Sequence, residues 1–375
     1  MSTVKGLRAA SIALVLSGMM LAAATVNADE RVTTEQPSSV LIFPKVVNTG
    51  PGDANTIIQI TNTTNLLVDV HCFYVNGQSV GGVPIWQVTD FDLALTRQQP
   101  THWSVADGRS VNPMDSSLSG KGLDPGLIPP VPVGFTGFLT CVEVMPSGEP
   151  SGANSLKGEA TVGAVTTLGG PNGVSKYNGI GIQACDPEKC CDGSMATGCG
   201  VNDDSVLELN DKEYAACPGG LFLNFQSEGG PDLAIDGAGN TPSAVSTNLS
   251  LVPCGMDFEN LIPGSTLLTL TFHNEFENVG SVSRVPVQCW FGKDLGDPLF
   301  GGQLDVGALG TDFGTALLTP LGPNDIPALG VANVLRTAGD GSSDTAATNL
   351  HFCTDASQPA NCGKVNSEIR LPSLQ

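Results

Sequence analysis

The chemistry this chain could do rests first on its eleven cysteines, four histidines and many acids. Cys185, Cys190, Cys191, Cys199 and Cys217 fall close together, at spacings that match none of the usual zinc patterns. Adjacent Cys190 and Cys191 suit a cross-linked loop better than a metal knuckle. Asp186, Glu188, Asp192, Asp203, Asp204 and Asp211 surround them. Oxygen-rich loops of this kind hold calcium in exported proteins, so calcium is the one cofactor the sequence suggests. Asp186, Asp192, Asp203 and Asp204 are its candidate ligands, although the spacing fits no EF-hand. His71, His102, His273 and His351 are not paired at metal-ligand spacing, and neither HExxH nor GxSxG occurs. No residue earns a catalytic assignment on this evidence.

What the cysteines do depends on the compartment. Residues 1–28 read as a secretory signal peptide: Lys5 and Arg8 form the basic region, Ser11–Ala24 the apolar one, and Val26-Asn27-Ala28 the cleavage site before Asp29. No other segment is long and apolar enough to span a membrane. Export makes disulfides the default, and an odd count leaves at least one cysteine outside the intrachain pairs. The net charge of −21 becomes more negative once Lys5 and Arg8 are removed. Such a surface repels nucleic acid and anionic lipid, so neither is an expected partner.

The elements that must carry these residues are strands. Gly 46 and Pro 26, set against few Lys, Glu or Arg, resist a helical fold. One stretch occurs twice: Thr56–Val75 and Thr266–Phe291 each read as a strand, a polar turn and a second strand ending in Cys and two aromatics. In the first copy Val68, Val70, Cys72 and Tyr74 share a face opposite Asp69, His71 and Phe73. In the second, Val285, Val287, Cys289 and Phe291 share a face. Both copies are expected to be the central hairpin of a sandwich. His71 should face a loop or solvent, and Pro286 should sit at an edge or a bulge.

Flanking segments extend the repeat. Val40–Pro44 resembles Leu249–Pro253, Thr136–Cys141 resembles Thr348–Cys353, and Lys157–Val162 has a weaker counterpart in Lys364–Leu371. The expected fold is all-β: two tandem immunoglobulin-like β-sandwiches, at 38–168 and 243–375. Between them, 169–242 forms a Cys-rich insertion and linker that can add strands to the first domain. Equivalent positions in the repeat predict Cys72–Cys141 and Cys289–Cys353 bridges. Cys254–Cys289 is a competing pair, and unpaired burial is a further alternative. The loop Asp107–Val133 is long for a compact domain.

At His71–Asn76 (HCFYVN), Thr96–Trp103 (TRQQPTHW), Leu251–Glu259 (LVPCGMDFE) and His273–Glu277 (HNEFE) the sequence resembles a group of secreted hypothetical proteins of environmental bacteria. The resemblance implies export and a bacterial source, and transfers no catalytic residue. The expected role is a secreted or cell-surface, non-enzymatic protein that binds an extracellular protein or glycan or contributes to a surface structure. The alternative is a secreted hydrolase acting on polysaccharide or protein, its site in the long loops near Trp86–Trp103.

Overall fold

Segments such as Val40-Leu-Ile-Phe43 and Phe138–Val144 are apolar on both strand faces, so a single sheet-on-sheet contact cannot bury them. The computed structural model describes residues 31–51, 53–109, 125–164, 173–191, 193–194, 197–202, 204–229, 244–322, 325–337, 343–354 and 362–373. The expected signal peptide, Asp192, Asp203 and nearly all of the expected Gly229–Pro242 linker lie outside them.

The described chain is almost entirely β. In its first half, one antiparallel sheet runs Gln87–Leu95, Val68–Asn76, Phe135–Val144, Val40–Asn48, Ile180–Ile182 and Val32–Thr33. A second layer runs Ser175–Asn178, Leu156–Ala164, Ala54–Asn62 and Pro100–Ser104. The strands of the two layers pair at the corner Asn48 and Asn55, and Ser38, just before Val40–Asn48, bridges Leu156. Leu41, Phe43, Val70, Cys72, Tyr74 and Leu139 point into the core between them, against Ile58, Ile60 and Trp103.

The alternate residues of the same strands point the other way and are also buried. Val40, Ile42, Phe73, Val75, Phe138 and Val142 form a further core with Cys185, Cys191, Leu207, Tyr214 and Cys217 of the insertion. Val252, Met256, Phe258, Cys289, Leu329 and Ile369 from the C-terminal half complete it. The rings of Phe73 and Phe258 stack at 4.1 Å across this junction. Trp290 reaches over it to donate from Nε1 to the Pro44 carbonyl at 2.7 Å. Gly77 makes room for that indole, because a Cβ there would collide with it.

In the second half, one sheet runs Val279–Gln288, Ser265–Asn274, Phe313–Pro320, Gly220–Gln226 and His351–Cys353. The facing sheet runs Phe291–Asp294, Ala244–Pro253, Ala328–Thr337 and Ser343–Asn349. The insertion is therefore shared. Ser175–Asn178 and Ile180–Ile182 do extend the first sandwich, but Gly220–Gln226 belongs to the second. Val206–Leu209 pairs with the tail strand Ser367–Arg370, which lies outside both sheets of the second sandwich. Pro286 sits on an edge strand beside a register shift, as its missing N–H requires.

Two expectations need correction. Thr266–Gln288 is a hairpin, but its counterpart is an arch: Ala54–Asn62 and Val68–Asn76 lie in opposite sheets and do not pair. Asn62 makes the difference. It is fully buried at the corner, and its Nδ2 donates to the carbonyls of Leu66, Leu95 and Thr96. At the equivalent bend Asn274 accepts from the N–H groups of Phe276 and Asn278, both at 2.9 Å, and Glu277 at φ +61° closes a tight turn.

The second correction concerns the cross-links. Cys72 and Cys141 are bridged as directly opposed residues on neighbouring strands, with Cα atoms 4.0 Å apart. Cys289 and Cys353 are not bridged, nor are Cys254 and Cys289. Cys289 adopts φ +64° where the chain steps from one sheet to the other. That kink turns it away from Val285, Val287 and Phe291, which face the second sandwich's core, and into the junction core. There it is an unpaired buried thiol, pushed by burial up to about 12. Cys353 instead bridges Cys362, and Cys217 bridges Cys254. Cys185–Cys191 and Cys190–Cys199 lock the insertion.

Near the insertion two carboxylic acids are buried. Glu143 accepts from Ser155 N–H at 3.1 Å and from the Ser155 hydroxyl at 3.0 Å. Burial outweighs these bonds and pushes its carboxyl up to about 7. Glu213 accepts from the N–H groups of Asn202 and Glu208 and is also pushed up to about 7, chiefly by burial. A folded-state value above the unfolded one means the folded form holds the proton more tightly. The associated stability is full below the unfolded value near 4.5 and is lost as pH rises through 7.

Two outcomes follow. The melting temperature falls as pH rises from about 5 to about 7.5, and Glu143→Gln flattens that slope, measured by calorimetry across the pH series. In denaturant unfolding, Cys72→Ala costs about 4 kcal/mol, the chain-entropy value for its 69-residue loop. Cys289→Ala, which breaks no bridge, costs about 1 kcal/mol.

Candidate functional site

On the five-stranded sheet of the second sandwich, strand alternation turns Leu223, Phe225, Phe272 and Ala316 inward. Their neighbours must then face out. Asn224, Thr315 and His273 are direct register partners across three strands and form one exposed row. Beside this row lies a cleft of about 410 Å³, to which Glu275, Phe313 and Arg336 also contribute. Gly314, the register partner of Phe225, leaves room for that inward ring, since a Cβ there would meet it at 2.6 Å. Asn274 fixes the adjoining turn, with its Nδ2 donating to the Leu309 carbonyl at 2.8 Å. That turn holds Phe276 out at 73% exposure, and Phe313 on the next strand is 43% exposed. The cleft thus offers an amide, an imidazole, a hydroxyl and a carboxylate next to an exposed ring, with the half-buried, already partnered Arg336 at its margin.

A larger concavity of about 610 Å³ lies at one end of the first sandwich, lined by Pro51, Pro130, Pro132 and Val133 with Asn48 and Asn55. Both amides there serve the scaffold: Asn48 donates to the Val131 carbonyl at 2.9 Å, and Asn55 to the Ser104 hydroxyl at 2.8 Å. This leaves the smaller cleft with the more available polar groups, the usual mark of a specific site. Of the expected loop Asp107–Val133, residues 110–124 lie outside the described ones.

The remaining sequence candidates do not converge. His71 lines a small cleft beside the turn that carries Met145, Pro146 and Gly148. It lies on a sheet face, with Nε2 3.4 Å from Asp90 and Nδ1 3.8 Å from Asp92, and its ring stacks on Phe73 at 4.4 Å. His102 and His351 are exposed on separate strands. Trp103 is buried and donates to the Tyr74 hydroxyl at 2.5 Å, and Trp86 stacks on Phe258. The two tryptophans that bound the stretch named in the hydrolase reading are thus packed against other rings. Asp186 accepts from Glu188 N–H, and Asp204 from Val206 N–H, each at 2.8 Å. Asp211 pairs with Lys364 at 3.0 Å. Among the described residues no three His, Cys, Asp or Glu side chains are placed to hold a metal.

Sequence reasoning weighed His273 among the four histidines and named it with Glu275 in a resemblance, and missed Asn224, Thr315 and Arg336. Their signal was present as polar residues alternating with core ones. What the sequence lacked was the strand order that sets Gly220–Gln226 beside Phe313–Pro320.

Among the described residues no helix is long and apolar enough to cross a membrane. No protein-family model matches the chain, and a search of curated proteins finds no match. Among solved structures, a lectin from Pleurotus ostreatus in complex with GalNAc aligns at 13% identity and a TM-score of 0.18, over 93% of this chain and 88% of that one. The apo form of Pleurotus ostreatus lectin aligns at 12% identity and the same TM-score of 0.18, over 91% and 87%. At that TM-score neither likeness carries an argument about fold or ligand.

Proposed function

We propose that this chain is an exported, non-enzymatic binding protein whose second sandwich takes an extracellular glycan in the cleft around His273. The observation that carries the reading is the exposed row Asn224, Thr315 and His273, flanked by Glu275, Arg336 and the exposed ring of Phe313. Sugars present hydroxyls that need donors and acceptors, and a C–H face that packs on a ring. A row of short polar side chains on rigid strands meets both needs with little ordering cost.

Five disulfides and a leader-like N-terminus favour export. The sandwiches are immunoglobulin-like in this reading. In the first, Ala54–Asn62 pairs with Pro100–Ser104 and Val68–Asn76 with Phe135–Val144, the central pairings of that fold. The outer strands exchange layers, with Val40–Asn48 joining Phe135–Val144 and Leu156–Ala164 joining Ala54–Asn62.

The test is retention of the mature protein on a panel of immobilised glycans, followed by titration of any sugar retained. The expected result is a bound sugar whose affinity falls about tenfold, roughly 1.4 kcal/mol, in Asn224→Ala or His273→Ala, while Val133→Ser at the other concavity leaves it unchanged. Failure to retain any glycan, or equal affinity in all three variants, overturns the assignment.

A further inference from the structure

Lys45 is an unusual lysine. It sits in an irregular step of Val40–Asn48, where the register with Phe135–Val144 shifts between Phe43 and Val46. The Tyr177 hydroxyl clamps its backbone, accepting from Lys45 N–H at 3.1 Å and donating to Lys45 C=O at 2.5 Å. The side chain is directed across to the second sandwich, where Nζ donates to Oδ1 of Asn248 at 2.8 Å. Asn248 is held from two further sides. Its Nδ2 donates to Asp294, its register partner on the next strand, at 2.9 Å. The Ser250 hydroxyl, two residues along, donates to Oδ1 at 3.2 Å.

An amine, a carboxamide, a carboxylate and a hydroxyl donor are thus assembled around one carbonyl carbon. These are the parts of an acyl transfer: nucleophile, electrophile, proton carrier and oxyanion donor. Burial pushes the Lys45 ammonium down to about 8, against the opposing pull of Asp294, so neutral amine is present near neutral pH. Holding the reactants in hydrogen-bond contact supplies the proximity that an amide otherwise lacks as an electrophile.

We propose that Lys45 and Asn248 join in an intramolecular isopeptide bond that staples the two sandwiches together. The neutral Nζ attacks Cγ of Asn248, and the carbonyl electron pair moves onto Oδ1, where the Ser250 hydroxyl holds it. Asp294 takes one proton from the attacking nitrogen and delivers it to Nδ2. The Cγ–Nδ2 bond breaks, the C=O bond re-forms, and one ammonia leaves. The new bond is a secondary amide between Nζ and Cγ. No electrons are gained or lost, and no reagent beyond the chain is consumed.

The inference is independent of any ligand in the cleft. Its test is mass spectrometry of the purified wild-type protein, reduced and alkylated, both intact and after tryptic digestion. The expected mass is lower than the sequence mass by one ammonia, with a branched peptide joining the segments that carry Lys45 and Asn248. In Asp294→Ala the full mass and two separate linear peptides are expected. Wild-type protein at full sequence mass, with Lys45 and Asn248 unmodified in linear peptides, overturns the proposal whether or not any variant folds. A branched peptide that forms as readily in Asp294→Ala overturns the role given to Asp294.

Discussion

The first sandwich's larger sheet is apolar on both faces, and the rest of the structure answers to that constraint. Along Val40–Asn48, Val68–Asn76 and Phe135–Val144, alternate side chains are buried on opposite sides. One side is covered by the partner sheet. The other, if left to water, would expose a contiguous apolar surface far beyond what a stable monomer tolerates. The Cys-rich insertion and residues from the C-terminal half cover it, and this third layer makes one body of two sandwiches.

That arrangement also determines which surface remains free. The four-stranded sheet of the second sandwich turns toward the first: Val331 and Ala347 pack with its core, Asn333 donates to the Ser175 hydroxyl at 2.9 Å, and Asn349 donates to the Asn178 carbonyl at 2.8 Å. The five-stranded sheet is left with an exposed outer row, where the cleft lies. Lys45, Pro44 and Trp290 meet at another part of the same seam. The proposed binding surface and the proposed covalent staple are therefore consequences of one packing decision. The disulfides serve it too, since Cys217–Cys254 ties the insertion directly to the second half across the junction core.

Much of this could be read from the residues. The strand period of Val68–Val75 marked the face carrying Val68, Val70, Cys72 and Tyr74, which is an inner face, and Pro286 marked an edge. The opposite face was read through Asp69 and His71, whose polarity hid the burial of Phe73 and Val75. The arch at Asn62 was not legible either. An asparagine after a strand serves a tight turn and a crossing between sheets equally well, and only its distant partners, the carbonyls of Leu95 and Thr96, decide between them. Cys289 was misplaced for a related reason. Period-2 reasoning assumes an extended backbone, and the positive φ at Cys289 breaks the period at the residue whose direction mattered. The site fared worst because its row depends on strand order, a long-range property that composition and local pattern do not encode.

A shared core predicts shared unfolding. The direct measurement is thermal unfolding followed at once by calorimetry and by the fluorescence of Trp103, which lies inside the first sandwich, in a protein whose Trp86 and Trp290 are replaced by Phe. The account predicts one transition, coincident by both probes, with calorimetric and van't Hoff enthalpies in agreement. Two separated transitions, with Trp103 reporting only one of them, would contradict it.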